Sequence, residues 1–218
     1  VRPAAARSWR SDAAAPLASQ LKSPPGCQVH LVHFGEHGAH AGRGQGVLGH
    51  RESLGLVARA DLDQPVGGKS QARQAGADMI VFPELSLTGY FVRDMVPDLA
   101  LPSSAPEIAR LLEAAGPMAV IAGFVEASSR HRIGNVAFYG EGGHVAHVHR
   151  KVYLPTYGLF DEQRYFAAGN RIRAFQTARF GRVGILICED FWHLSAASIM
   201  QAEEVDLLVC VANSPARG

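Results

Sequence analysis

Apolar positions in this chain fall into short consecutive runs set off by polar or glycine-rich punctuation, the pattern of strands buried on both faces. Val183-Gly184-Ile185-Leu186-Ile187 is one such run, and Met79-Ile80-Val81-Phe82, bounded by Asp78 and Pro83, is another. Residues 118–126 and 134–139 predict two further strands, 145–151 continue the sheet, and 206–212 predict a last strand. Between them, 107–115 and 195–204 carry helical patterns. Strands and helices alternating in this way predict an α/β fold.

Three of these runs end at an ionisable group. The run over 183–187 leads into Cys188-Glu189-Asp190-Phe191-Trp192, the run over 79–82 passes Pro83 into Glu84, and the stretch from 145 reaches Lys151. The C-terminal ends of strands are where open α/β sheets present reactive groups. A helix beginning after Cys188 would turn its unpaired N–H groups and positive dipole end toward the sulfur, favouring a thiolate and binding an oxyanion. Taken singly, each residue also has a plainer reading. Cys188 suits a buried structural thiol, Glu84 a capping or surface carboxylate, and Lys151 a solvated neighbour of Arg150.

Together the three segments resemble the carbon–nitrogen hydrolase (nitrilase) superfamily, whose catalytic set is a Glu, a Lys and a Cys in that chain order. Glu84, Lys151 and Cys188 stand in that order here, and the resemblance covers residues 74–218. The segment Tyr153-Leu154-Pro155-Thr156-Tyr157-Gly158-Leu159-Phe160-Asp161-Glu162-Gln163-Arg164-Tyr165-Phe166, followed by Gly169, is similar to the glutamine-hydrolysing domain of glutamine-dependent NAD synthetases. So is Cys188-Glu189-Asp190 with Trp192. Nitrilases that act on nitriles follow their cysteine with Trp-Glu, which this chain lacks, so the resemblance favours an amide over a nitrile.

The resemblance implies a four-layer α-β-β-α sandwich, two packed sheets covered by outer helices, incomplete at its C-terminus because family members continue beyond the equivalent of residues 213–218. It implies Cys188 as nucleophile, Glu84 as proton carrier and Lys151 as oxyanion stabiliser. Glu162 matches a second glutamate that the family places near its lysine, with a loop ion pair as the alternative. Tyr90 and Tyr157 are implied to line the substrate pocket, with core packing as the alternative. The implied function is thiol-dependent hydrolysis of a small linear carboxamide, such as the amide of glutamine, releasing ammonia and a carboxylic acid through a cysteine thioester. A non-catalytic truncated fragment of the fold, or an amidase of another branch of the superfamily, are the alternatives. Family members associate through helices beside the cysteine, so a homo-oligomer is expected of the complete protein. Loss of Glu84 or of Lys151 is expected to slow alkylation of Cys188.

Composition narrows the setting. The 218 residues, 47% hydrophobic and 19% charged, can bury one sizeable core. A net charge of +1 leaves no electrostatic footprint for nucleic acid, and no apolar run is long enough to span a bilayer. Cys27, Cys188 and Cys210 have no paired spacing, which predicts a reducing, cytoplasmic setting. No cofactor is expected.

Residues 1–73 read as a poorly assigned, partly disordered extension ahead of a hydrolase domain over 74–218. Residues 54–57 suggest a remnant strand and 69–75 the end of a helix. Residues 1–22, rich in Ala, Arg and Ser with Asp12 as the only acid, suit disorder or an artefact of the assigned chain start better than a transit peptide. Cys27, His30, His33, His37 and His40 include metal-ligand types, but Gly35 and Gly38 interrupt any helix that would align them, so no metal is expected. Gly44-Gln45-Gly46-Val47-Leu48-Gly49 spells a dinucleotide fingerprint without a strand–helix frame and reads as a flexible segment.

Overall fold

Each apolar run forms a strand within two residues of its expected bounds. In the computed structural model, which describes residues 28–32, 56–59, 77–90 and 92–213, the strands are β1 (Gln28–Val32), β2 (Leu56–Arg59), β3 (Ala77–Val81), β4 (Ala119–Ala127), β5 (Ile133–Glu141), β6 (His144–Arg150), β7 (Phe175–Gln176), β8 (Arg182–Ile187) and β9 (Leu207–Val211). The helices are α1 (Val96–Leu99), α2 (Pro106–Ala115), α3 (Glu162–Tyr165) and α4 (Leu194–Ala202). Pro106, which lacks an N–H to leave unpaired, starts α2, and Gly116 at φ +62° ends it.

The strands make two sheets. One has the order β2-β3-β4-β5-β6, parallel from β2 to β4 and antiparallel from β4 to β6. The other has the order β1-β9-β8-β7, with β1, β9 and β8 parallel and β7 antiparallel at the edge. Side chains alternate across a strand with period two, and the buried clusters follow that period. Ile80, Val120, Ala122, Phe124, Val136 and Phe138 pack with Ile108, Leu111 and Leu112 of α2. Their neighbours Met79, Val81, Ile121, Ala137 and Tyr139 pack instead with Val183, Ile185, Ile187, Leu207, Val209 and Val211 of the second sheet. Leu186, Leu208 and Cys210 face the other way, onto Ala196 and Met200 of α4.

Among the described residues before 74 there are two strands. β2 overlaps the strand suggested at 54–57 and pairs with β3, and β1, which the sequence did not suggest, pairs with β9. Residues 1–22, the helix end at 69–75, the glycine-rich segment at 44–49, and Cys27, His33, His37 and His40 lie outside the described residues, as does the His30 side chain. Among the described residues no three His, Cys, Asp or Glu side chains are grouped to hold a metal, and no helix is long and apolar enough to cross a membrane.

Candidate active site

Glu84 leaves the sheet just past β3. The chain stays tied to β4 as it turns, through Phe82 N–H to the Ile121 carbonyl at 2.8 Å and Leu87 N–H to the Gly123 carbonyl at 3.0 Å. A Cβ at position 123 would meet the backbone of Glu84 and Leu85, so glycine is what lets the segment lie this close. Leu85 takes a left-handed φ of +53°, which turns the chain immediately beyond the carboxylate.

Lys151 is the residue after β6. Its N–H donates to the Asn135 carbonyl at 2.9 Å and its own carbonyl accepts from Gly169 N–H at 2.7 Å, so both sides of its peptide are held. Cys188 follows β8, adopts φ +43°, and opens a 3₁₀ turn, Cys188–Trp192. The helix expected over 195–204 forms as α4 from Leu194, so a 3₁₀ turn and not the first turn of that helix follows the cysteine directly. Asp190 explains the difference. Its fully buried carboxylate accepts Ile187 N–H at 3.1 Å, closing the turn back on the strand end.

Glu84, Lys151 and Glu162 converge. The Lys151 ammonium, 0% exposed, donates to Glu84 Oε1 and to Glu162 Oε1, both at 2.7 Å. Asn135 Nδ2 donates to Glu84 Oε1 at 2.8 Å, and Asn213 N–H reaches Glu84 Oε2 at 3.3 Å. Burial works against the Lys151 charge, but Glu84 and Glu162 outweigh it and hold the ammonium above its ordinary pKa. Burial pushes Glu162 up from 4.5 to about 7, opposed by Lys151 and helped by Glu84. Glu162 Oε2 has no hydrogen-bond partner among the described residues.

Cys188 shares this electrostatic neighbourhood. Burial and then Glu84 drive its thiol above the ordinary range, with Lys151 acting in the opposite direction. Tyr90 is pushed up by burial and then by Glu84 and Glu162. Tyr90 and Glu162 line a cavity of about 260 Å³ together with Leu85, Phe160 and Phe166. Tyr157 is not among its lining residues: it is 60% exposed, and its hydroxyl donates to Glu189 at 2.6 Å.

Three supporting residues escaped the sequence reading. Asn135 positions Glu84 through its side chain and Lys151 through its carbonyl; the available signal was one amide inside the apolar run of β5. Asp190, besides closing the Cys188 turn, accepts Val152 and Tyr153 N–H, each at 2.9 Å. His149 Nε2 lies 2.8 Å from the same carboxylate. Asp190 thus ties the chain beyond Cys188 to the chain beyond Lys151.

The model of the carbon-nitrogen hydrolase family matches residues 49–217. The chain is similar to the glutamine-dependent NAD(+) synthetase of Acinetobacter baylyi, 30% identical over 67% of this chain and 27% of that protein. It is also similar to that of Thermotoga maritima, 33% identical over 71% and 27% respectively. Among solved structures, a glutamine-dependent NAD+ synthetase from Acinetobacter baumannii in complex with ADP superposes with TM-score 0.60 at 28% identity, covering 75% of this chain and 32% of that one. An amidase from Nesterenkonia sp. superposes with TM-score 0.63 at 19% identity, covering 76% and 67%, a likeness of fold. The chain spans about a quarter of the length of these curated relatives. It belongs to the carbon–nitrogen hydrolase family.

Proposed function

We propose that this carbon–nitrogen hydrolase cleaves a small linear carboxamide, with Cys188 as nucleophile, Glu84 as proton carrier and Lys151 as oxyanion stabiliser. The observation that carries the reading is the buried ammonium of Lys151 bonded at 2.7 Å to both Glu84 and Glu162, with its charge and that of Glu84 acting on the Cys188 thiol. A buried lysine and two carboxylates are costly to keep for structure alone. The packing of α2, the two sheets and α4 in successive clusters supports the four-layer α-β-β-α arrangement, to which β1 and β2 contribute from ahead of residue 74.

An amide resists attack, so the sulfur must be deprotonated as it bonds to the carbonyl carbon. Glu84 takes the thiol proton, and the oxygen that becomes negative receives hydrogen bonds from Lys151 and from a backbone N–H after Cys188. When the tetrahedral species collapses, the C–N bond breaks, Glu84 passes its proton to the nitrogen, and ammonia leaves a Cys188 thioester. Water, deprotonated by Glu84, attacks the thioester, and the thiol regains a proton as the carboxylic acid departs.

Glu162 and Tyr90 suit the substrate amide and its chain. The unpartnered Oε2 of Glu162 can accept from an amide –NH₂, and Leu85, Phe160 and Phe166 in the same lining suit a methylene chain, with Arg93 and Asp161 beside them for its polar groups. The relatives named as glutamine-dependent support glutamine as the first candidate, and the solved amidase with the acetamide moiety of fluoroacetamide joined to its active-site cysteine supports a covalent route. Tyr157, through Glu189, suits the outer end of the substrate. The test is ammonia release from glutamine, asparagine, acetamide and propionamide, with mass spectrometry for an acyl adduct on Cys188. Ammonia and an adduct from one of them are expected; neither from any would overturn the reading.

A further inference from the structure

A cleft of about 250 Å³ opens between β6, the edge strand of the five-stranded sheet, and residues 170–173, which lead into β7. Its lining includes Arg130, Arg150, Arg171 and Arg173 with His147 and His149, and no carboxylate. Lys plus Arg number 21 in the chain and Asp plus Glu 20, so the concentration of cations here is local. Arg150 is already matched: its Nε and Nη2 donate to the two oxygens of Glu126 at 2.5 and 2.7 Å. Arg130, Arg171 and Arg173 have no carboxylate partner among the described residues.

His147 lies within this cluster. His147 is stacked on Phe175 with ring centroids 4.1 Å apart and planes 11° apart, which fixes its orientation. Burial and then His149, Arg173 and Arg150 pull its pKa down to about 4, although His149 is paired with Asp190 and Arg150 with Glu126. We propose that this cleft is a phosphate-binding site, in which Arg130 and the pair Arg171 and Arg173 hold a phosphate group, free or at the end of a small phosphomonoester, above the β6 histidines.

Phosphate is favoured over carboxylate because a carboxylate is satisfied by one forked guanidinium, as Glu126 is by Arg150, whereas phosphate has three terminal oxygens and up to two charges to share among several. The cleft is smaller than pockets of roughly 300 Å³ and above that enclose drug-sized ligands, which limits the occupant to a phosphate with a short appendage. A nucleic-acid backbone would call for a stripe of cations along the surface, not an indentation.

Calorimetric titration of the full 218-residue chain at constant ionic strength tests this, with inorganic phosphate, glycerol 3-phosphate and acetate as separate ligands. Saturable binding of phosphate or of the ester is expected, and none of acetate; the tighter of the first two identifies a free or an esterified occupant. Arg171→Gln with Arg173→Gln should weaken binding by at least about tenfold, the loss expected for one charge-assisted contact, without shifting the ligand-free melting temperature. Arg130→Gln, on the turn between β4 and β5, is an independent variant expected to do the same. No saturation, equal binding of acetate, or unchanged affinity in both variants would overturn the site. Binding is read directly, so the outcome does not depend on amidase activity.

Discussion

Lys151 bridges two carboxylates, and one ammonium cannot neutralise both. Burial first, and Glu84 after it, raise two neighbours: Glu162 to about 7, against the pull of Lys151, and the Cys188 thiol above its ordinary range. On this reading sulfur ionises during attack and not before it. Cys188→Ala should abolish ammonia release while the melting temperature stays near that of the parent, and Cys188→Ser should be nearly inactive because a hydroxyl is harder to deprotonate. Glu84→Gln should lower turnover by about 10²–10⁴-fold through loss of the general base. Lys151→Met should lower it by about 10²–10³-fold or more through loss of the oxyanion donor. Their effects on the thiol separate the two residues. Removing the negative charge of Glu84 lowers the Cys188 pKa, so Glu84→Gln should speed iodoacetamide alkylation at pH 9, the reverse of the expectation from sequence. Lys151→Met should slow it. Equal shifts in one direction would show that these charges do not govern the sulfur.

At the scale of elements, the site depends on two close approaches and one buried carboxylate. A Cβ at Gly123 would strike the backbone of Glu84 and Leu85, and one at Gly169 would strike the carbonyl of Arg150, just before Lys151. Gly123→Ala and Gly169→Ala should therefore each displace one charged residue, costing activity more than stability; turnover and melting temperature measured together check this. Asp190→Ala should do both, because it strips partners from three buried or half-buried N–H groups and from His149, a loss of about 3–5 kcal/mol. Unchanged urea stability would refute the role given to Asp190. The strands that carry Glu84 and Cys188 were legible in the sequence because burial on both faces demands unbroken apolar runs, whereas β6, which leads to Lys151, is only partly buried and interleaves Val145 and Val148 with histidines. The turns at the ends of those strands were less legible. The 3₁₀ turn at Cys188 is set by Asp190 reaching back to Ile187, a tertiary contact with no periodicity of its own. β1 escaped because Gln28 and His30 interrupt its apolar run, and its pairing with β9 spans most of the chain.

Across the whole molecule, the same polar groups join the two sheets. Asn213, just past β9, reaches Glu84 past β3, and Asp190, past β8, reaches Val152 and Tyr153 past β6. Charged groups at such a junction make stability depend on pH, with a sign fixed by their shifts. Lys151 is raised above its unfolded value of 10.5, so its contribution is present below that pH and is lost as pH rises through the folded value. Glu162 behaves differently from a typical salt-bridged acid. Its pKa is raised, from 4.5 to about 7, so between those values the folded chain keeps a proton that the unfolded chain has released. The stability tied to that proton is fully present below 4.5 and falls away as pH approaches 7. Glu162→Gln removes the titration. Melting temperatures measured from pH 4.5 to 8 should decline more steeply in the parent than in Glu162→Gln, the gap opening across the interval between the unfolded and folded values. Parallel profiles would mean that Glu162 is ionised throughout, and that Lys151 neutralises it more fully than burial and Glu84 allow.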